Sequence, residues 1–455
     1  MLYLNINMET NESDSNTSTS DGSIIEGSFE LTEGDINDIE ETVHTLLYEY
    51  INDNPLLYSK INFRETVEVD IVDFIISDLT DSGCIIKNLK DYYKISNLIT
   101  SAVDIFFANN IYNIVPRSHH NTNVPSSMTK TYINQQIKHL QQLPQPEQKT
   151  PEWYKYRHGL ITASNIYKVF ASQAQVNSLI YEKCKPFVER ETVHNNWHST
   201  SSLQWGVLYE PVTALLYEYM NNTKISDFGC IQHEKYNYIG ASPDGINTDP
   251  NSILYGRMLE IKNIVNRDIT GIPKEEYWIQ MQIQMETCGL DECDFMETRF
   301  KEYEDADQFY KGVSKYRGII LCFIENGITN SPPTYVYSKM DLTINIDIVE
   351  KWTEYEKDLK SDKYTLFNTR YWYLDEYSCV LVKRNVQWFN AALPMIKDVW
   401  DTIEKERNSG YEHRATKKRT IGQCVFVSRD NDEVTTTRTI HNVTSSNGLN
   451  VVKMS

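Results

Sequence analysis

Apolar residues recur every three to four positions through the first patterned stretch of the chain. Ile39, Val43, Leu46, Leu47 and Tyr50 share one face of a helix that begins near Asp35 and stops at Asn54-Pro55. Val67–Leu79 and Leu89–Phe107 repeat that spacing, so residues 35–115 are expected to form a small helical domain. Its sequence names no chemistry and suits an interaction module. Ahead of it, residues 1–34 are expected to be a disordered acidic N-terminus, because 8–34 is rich in Ser, Thr, Asn, Asp and Glu. After it, residues 116–150 hold Pro116, Pro125, Pro144 and Pro146 among polar residues. They read as a linker with one short helix near Tyr132–Leu143.

The pattern then changes to alternating helical and strand-like runs. Leu203–Met220 predicts a strong helix, with Val207, Leu208, Leu215, Leu216 and Tyr219 as its apolar stripe. Short apolar runs follow at Phe228–Gln232, Tyr236–Ala241, Met258–Ile264, Cys293–Phe300, Ile319–Ile324 and Thr334–Tyr337. Between the third and fourth lies a helix over Glu275–Cys288, closed by Gly289. This order predicts a mixed α/β core over 151–345. Helices at Ile346–Leu359 and Val386–Glu406 make 346–415 a C-terminal helical extension, and 416–455 reads as a flexible tail.

Composition narrows the class. At 455 residues the chain has room for two or three domains. It has no run of eighteen apolar residues and no secretory leader pattern, so a soluble, intracellular protein with no membrane partner is expected. Eight cysteines are scattered without C-x-x-C spacing, which fits reduced structural thiols better than zinc or an iron–sulfur cluster. The net charge of −19 is concentrated at the front, where residues 1–115 hold 5 basic and 21 acidic side chains. Composition therefore shows no strong non-specific DNA-binding surface. His119-His120 and Lys417-Lys418-Arg419 read as solvated linker and tail residues.

The most informative chemistry is Gly240-Ala241-Ser242-Pro243-Asp244-Gly245, followed by Leu259-Glu260-Ile261-Lys262-Asn263. On a strand, Glu260 and Lys262 share a face and Ile261 takes the other. If Asp244 converges with Glu260, two carboxylates make a hard oxygen site for Mg²⁺ or Mn²⁺. A neighbouring lysine then orients water or offsets charge on a phosphate. Alone, Pro-Asp-Gly is also an ordinary β-turn and Glu-x-Lys an ordinary strand edge.

Three further patches bear on that choice. Arg157-His158-Gly159-Leu160-Ile161-Thr162-Ala163-Ser164 places an arginine ahead of a helix start capped by Thr162 or Ser164, a natural phosphate pocket. Trp205-Gly206-Val207-Leu208-Tyr209-Glu210-Pro211 puts Glu210 near the start of an apolar helix. In Tyr277-Trp278-Ile279-Gln280-Met281-Gln282-Ile283-Gln284-Met285, the side chains of Tyr277, Gln280 and Gln284 share one face. Each patch alone also reads as ordinary helix structure: a cap, a first-turn carboxylate, a solvated polar face.

Taken in order, R-x-G-x-I-T-A-S, W-G-x-x-Y-E, S-P-D-G, L-E-I-K and Y-W-x-Q-x-Q over roughly residues 150–300 resemble the lambda-exonuclease/YqaJ-like viral recombinase nucleases. That family belongs to the PD-(D/E)xK superfamily, with RecB-type and CRISPR-associated exonucleases as relatives. The flanking regions resemble giant-virus members. The resemblance implies a restriction-endonuclease-like core, a mixed sheet flanked by helices. It implies that Asp244, Glu260 and the Ile261 carbonyl ligate the metal, with Glu210 completing the acidic cluster. Two Mg²⁺ or Mn²⁺ ions are implied. Lys262 would position and activate water, and Gln280 would hold water or the scissile phosphate, with Tyr277 nearby at the DNA. Arg157 and Ser164 would bind a terminal 5′-phosphate. The implied activity is a deoxyribonuclease, chiefly an exonuclease working 5′ to 3′ on duplex ends, in viral recombination, repair or defence against foreign DNA.

Some points stay open within the resemblance. An endonuclease on the same core and an inactive DNA-binding scaffold both remain, although intact Asp244, Glu260 and Lys262 argue against the scaffold. Single strands are a further substrate. Relatives include ring-forming oligomers and others that do not form rings. The N-terminal domain suits a recombination or helicase partner, and a viral protein would act in the host cytoplasm or viral factory. One departure from the pattern is an excursion at Asn247–Arg257, longer than a compact hairpin and expected to alter the DNA channel.

Overall fold

The computed structural model describes residues 31–81, 89–109, 116–119, 128–188, 202–328, 332–416, 442–444 and 450–452. The stretch 1–30, His120 and Lys417-Lys418-Arg419 lie outside the described residues. Three long helices come first: α1 (Glu33–Asp53), α2 (Phe63–Asp81) and α3 (Leu89–Asn109). A reciprocal cap starts α1, with the Asp35 N–H donating to Thr32 Oγ1 at 3.2 Å and the Thr32 N–H to Asp35 Oδ2 at 2.8 Å. Ile39, Val43, Leu47 and Ile51 form its buried stripe. These helices share one continuous hydrophobic core with the centre of the protein, in which Val43, Ile71 and Ile99 join Trp278 and Trp388.

The segment expected to be a linker is packed rather than free where it is described. Helix α4 (Lys130–Gln142) buries Ile133, Ile137 and Leu140. The excursion at 247–257 docks on this helix. Tyr255 clusters with Ile133 and Ile137, and Lys130 Nζ donates to the Pro250 carbonyl at 3.1 Å. Gly256 sits at φ 85°, and a Cβ there would lie 2.4 Å from Ile133 Cγ2. Both the left-handed backbone and the close approach require glycine.

Next come α5 (Pro151–His158), β1 (Ile161–Thr162), the single-turn α6 (Ala163–Ile166), α7 (Gln173–Cys184) and α8 (Ser202–Asn221). In α8 the buried apolar and aromatic residues described are Leu208, Tyr209, Val212, Leu216 and Tyr217, while Val207 and Tyr219 are exposed. The helix is thus rotated from its expected stripe, because Tyr209 and Tyr217 turn inward to reach carboxylates. Their hydroxyls donate to Glu302 Oε1 and Asp294 Oδ2, both at 2.7 Å.

The strands β2 (Ile225–Ser226), β3 (Ile231–Gln232), β4 (Ile239–Ala241), β5 (Gly245–Asn247) and β6 (Met258–Asn263) precede helix α9 (Glu275–Cys288). Helix α9 ends as expected, at Gly289 in the left-handed region with φ 61°. Then follow β7 (Glu292–Glu302), α10 (Ala306–Lys311), β8 (Arg317–Glu325), β9 (Thr334–Tyr337), α11 (Ile346–Lys360), β10 (Tyr364–Lys383) and α12 (Val386–Ser409).

The main sheet has seven strands in the order β2-β5-β6-β7-β10-β8-β9, and a small one has the order β1-β4-β3. β6 and β7 run parallel, joined through α9, whereas the other neighbours in the main sheet are antiparallel. Helix α8 covers the face bearing Leu259 and Ile261. Helix α9 covers the opposite face, where Gln284 meets Glu260. One expectation needs correction: 346–415 is not wholly helical. The twenty-residue β10 lies inside the sheet, paired with β7 over one half and β8 over the other.

Candidate active site

The site is built where β4 turns into β5 and meets β6. Asp244 ends the turn, and its Oδ2 accepts the Ile261 N–H at 2.7 Å, which pins the turn to β6. Glu260 is fully buried. Its Oε1 accepts from Lys262 Nζ, and its Oε2 accepts from Gln284 Nε2 at 2.7 Å. Lys262 also lies over the Tyr277 ring, 5.1 Å from its centroid. Alternation along β6 and the helical face of α9 thus bring Glu260, Lys262, Tyr277 and Gln284 together. Gln280 lies on that same face between Tyr277 and Gln284, half-buried.

The electrostatics follow from two acids sharing one ammonium. Burial pushes the Asp244 carboxyl well above the usual carboxylate range, and the nearby charges of Glu260 and Glu210 push it the same way. Burial opposes the charge on Lys262, but the carboxylates of Glu260 and Asp244 outweigh it and lift its pKa. Such a pair has excess negative charge and hard oxygen donors, which suits a divalent cation. Among the described residues no set of three or more His, Cys, Asp or Glu side chains forms a ready-made cage. The donors that fit are therefore two carboxylates and a main-chain carbonyl, leaving room for water, as Mg²⁺ prefers.

The remaining expected residues flank this centre. Glu210, on α8, pairs with Lys149 Nζ at 3.5 Å. It lines a groove of about 790 Å³ together with Lys149, Asp244 and Ile261. Arg157 stands in the last turn of α5, so it does not immediately precede a long helix; Gly159 and β1 intervene. Its Nη1 donates to Ser242 Oγ and its Nη2 to Ser164 Oγ, both at 3.2 Å. Its guanidinium lies 4.1 Å from the Trp153 ring centroid. The following helix α6 has only four residues, so an oxyanion placed here would meet the guanidinium and two hydroxyls more than a helix dipole.

The sequence placed Gln284 on one face with Tyr277 and Gln280 but gave it no role of its own, and it singled out neither Ser242 nor Lys149 for the site. Ser242 stands two residues before Asp244. The Lys149–Glu210 pair spans 61 residues and left no local trace.

Replacing Asp244 with asparagine should raise the thermal midpoint of the metal-free protein at neutral pH by a few degrees. A raised carboxyl pKa means that ionising Asp244 costs stability as pH rises above the unfolded value of about 4. The gain should shrink on acidification, when the native carboxyl takes up its proton. Melts in EDTA at two pH values test this, and a lower midpoint at neutral pH would refute it.

The Pro243-Asp244 turn and the Glu260-Ile261-Lys262 strand thus meet on a mixed sheet flanked by helices. Residues 152–291 match the family model of the YqaJ-like viral recombinase domain. An uncharacterized protein of Acanthamoeba polyphaga mimivirus is 29% identical over 311 residues, 59% of this chain and 55% of that protein. The chain thus spans about half the length of this curated relative. Among solved structures, an alkaline exonuclease from Laribacter hongkongensis aligns with 58% of this chain and 97% of its own, at 19% identity and a TM-score of 0.34. A second structure of that enzyme, in complex with dAMP, aligns at 20% identity with the same TM-score.

Proposed function

We propose that this chain is a metal-dependent deoxyribonuclease, chiefly an exonuclease acting on the ends of duplex DNA. The observation that carries this reading is the Asp244–Glu260 pair, with Glu260 buried and Asp244 half-buried at the groove, sharing the ammonium of Lys262. The match of residues 152–291 to the viral recombinase domain model supports the same reading.

Asp244, Glu260 and the Ile261 carbonyl would hold Mg²⁺ or Mn²⁺, with Glu210 able to join through water once released from Lys149. The bound metal would supply Lewis acidity and a water of lowered pKa. The protein's own contribution is orientation and charge. Lys262, kept protonated by the two acids, donates to the attacking water or the phosphate and offsets charge that builds there. Gln280 and Tyr277 line the same face and contact water or the scissile phosphate. Arg157 and Ser164 receive a terminal 5′-phosphate, which sets the end from which digestion starts. The acidic N-terminal helices, with Val69 and Phe74 exposed on α2, offer a recombination or helicase partner a place to attach.

The test is cleavage of linear duplex DNA with and without a 5′-phosphate, and of circular single-stranded DNA, in Mg²⁺, Mn²⁺ and EDTA. Metal-dependent loss of linear duplex is expected. No metal-dependent cleavage of any substrate would sink the enzymatic reading, and cleavage of circles would assign endonuclease activity. Arg157→Ala should reduce the preference for phosphorylated ends by about tenfold or more, in line with a charge-assisted contact of about 1.5–3 kcal/mol. An unchanged preference would reject the pocket.

A further inference from the structure

Gln284 is fully buried in α9, yet its amide is committed to the site. Nε2 donates to Glu260 Oε2 at 2.7 Å and to the Ser242 carbonyl at 3.3 Å. Those two acceptors fix the orientation of the amide, because a flipped group would turn its oxygen toward a carboxylate. Its Oε1 is buried without a hydrogen-bond partner. A buried unpaired oxygen costs stability, so satisfying the two acceptors takes precedence here.

The Ser242 hydroxyl is in turn the acceptor for Arg157 Nη1. One amide therefore joins the strand end that carries the phosphate pocket to the carboxylate of the catalytic pair. On β6, Lys262 takes the other Glu260 oxygen, so the Gln284 amide sets how the second one is presented. Leucine or methionine would fill the same space with no donor at all.

We propose that Gln284 is a positioning residue that holds Glu260 and the Ser242 main chain in one register, coupling metal affinity to recognition of the DNA end. The proposal rests on the reading of Asp244 and Glu260 as the metal-binding pair. It is tested on the full chain with Gln284→Leu and Gln284→Met, measuring Mn²⁺ affinity by calorimetry and the thermal midpoint in EDTA. The rate ratio for 5′-phosphorylated over 5′-hydroxyl duplex is measured in parallel.

Both variants should bind Mn²⁺ roughly ten- to a hundredfold more weakly, the usual loss when a partner of a metal ligand is removed. Their preference for phosphorylated ends should fall, and combining Gln284→Leu with Arg157→Ala should lower it less than additively. A glutamine that only filled the core would shift the midpoint and leave Mn²⁺ affinity and end preference unchanged. That result in either folded variant overturns the proposal. Glu260→Ala separates the two readings. If it abolishes Mn²⁺ binding while the Gln284 variants bind normally, only the positioning role falls; if it leaves Mn²⁺ binding intact, the metal-site reading falls with it.

Discussion

Lys262→Met is expected to slow cleavage of linear duplex DNA by about 10²–10³-fold, the scale for losing one charge-stabilising donor. Methionine keeps most of the length and volume beside Tyr277 but removes the cation. In the native site that cation pairs with Glu260 and is lifted above the ordinary lysine range by both acids. Without it, Asp244 and Glu260 lose the ammonium they share, so Mn²⁺ should bind more tightly even as turnover falls. This separation distinguishes a lost catalytic group from a collapsed site. Single-turnover rates and calorimetric Mn²⁺ titrations of the same preparation would show it. Full activity in this variant would mean that the reaction happens elsewhere.

The second large effect concerns stability. Arg257 is fully buried, with Nη2 at 3.0 Å from Glu292 and Nη1 at 3.3 Å from Asp294. Asp294 also accepts from Tyr217, and Asn247 donates to both the Tyr217 hydroxyl and the Arg257 carbonyl. Arg257→Met would strand two buried carboxylates, a change worth about 3–5 kcal/mol. Burial already lifts the Asp294 carboxyl to about 6 even beside this arginine. In the variant that pKa should rise further, so the lost stability should partly return as pH falls from neutrality toward 5. Denaturant melts at several pH values test both statements. A loss below about 1 kcal/mol, within the scale of an exposed ion pair, would show that the network is dispensable.

Much of this architecture could be read from the residues because local signals agreed with tertiary demand. α9 occupies its expected span, Glu275–Cys288, with its glycine stop, and β9 occupies Thr334–Tyr337. The strand carrying Glu260 and Lys262 was legible because an apolar alternation surrounds the two charged residues. β10 was not legible, for a physical reason. Its pairing register shifts between Leu366 and Asn368 and again between Leu374 and Glu376. Each bulge moves the side chains to the other face, so no period of two survives across Tyr364–Lys383.

The site shows the same division. Residues on one strand or one helical face could be grouped from spacing alone. Arg157 reaching Ser242, and Lys149 reaching Glu210, depend on how separate elements pack and leave no pattern in sequence. The rotation of α8 also lay beyond periodicity, since polar hydroxyls rather than apolar bulk decide which way its tyrosines face.

The place of β10 in the sheet sets a limit on dissection. A fragment cut to the matched span, 152–291, would end one residue before β7 begins. It would leave the β6 edge bare and strip α9 of the N-terminal helices and α12 that seal its outer side. The smallest autonomous unit around the Asp244–Glu260 pair is therefore much larger than the stretch that carries its motifs.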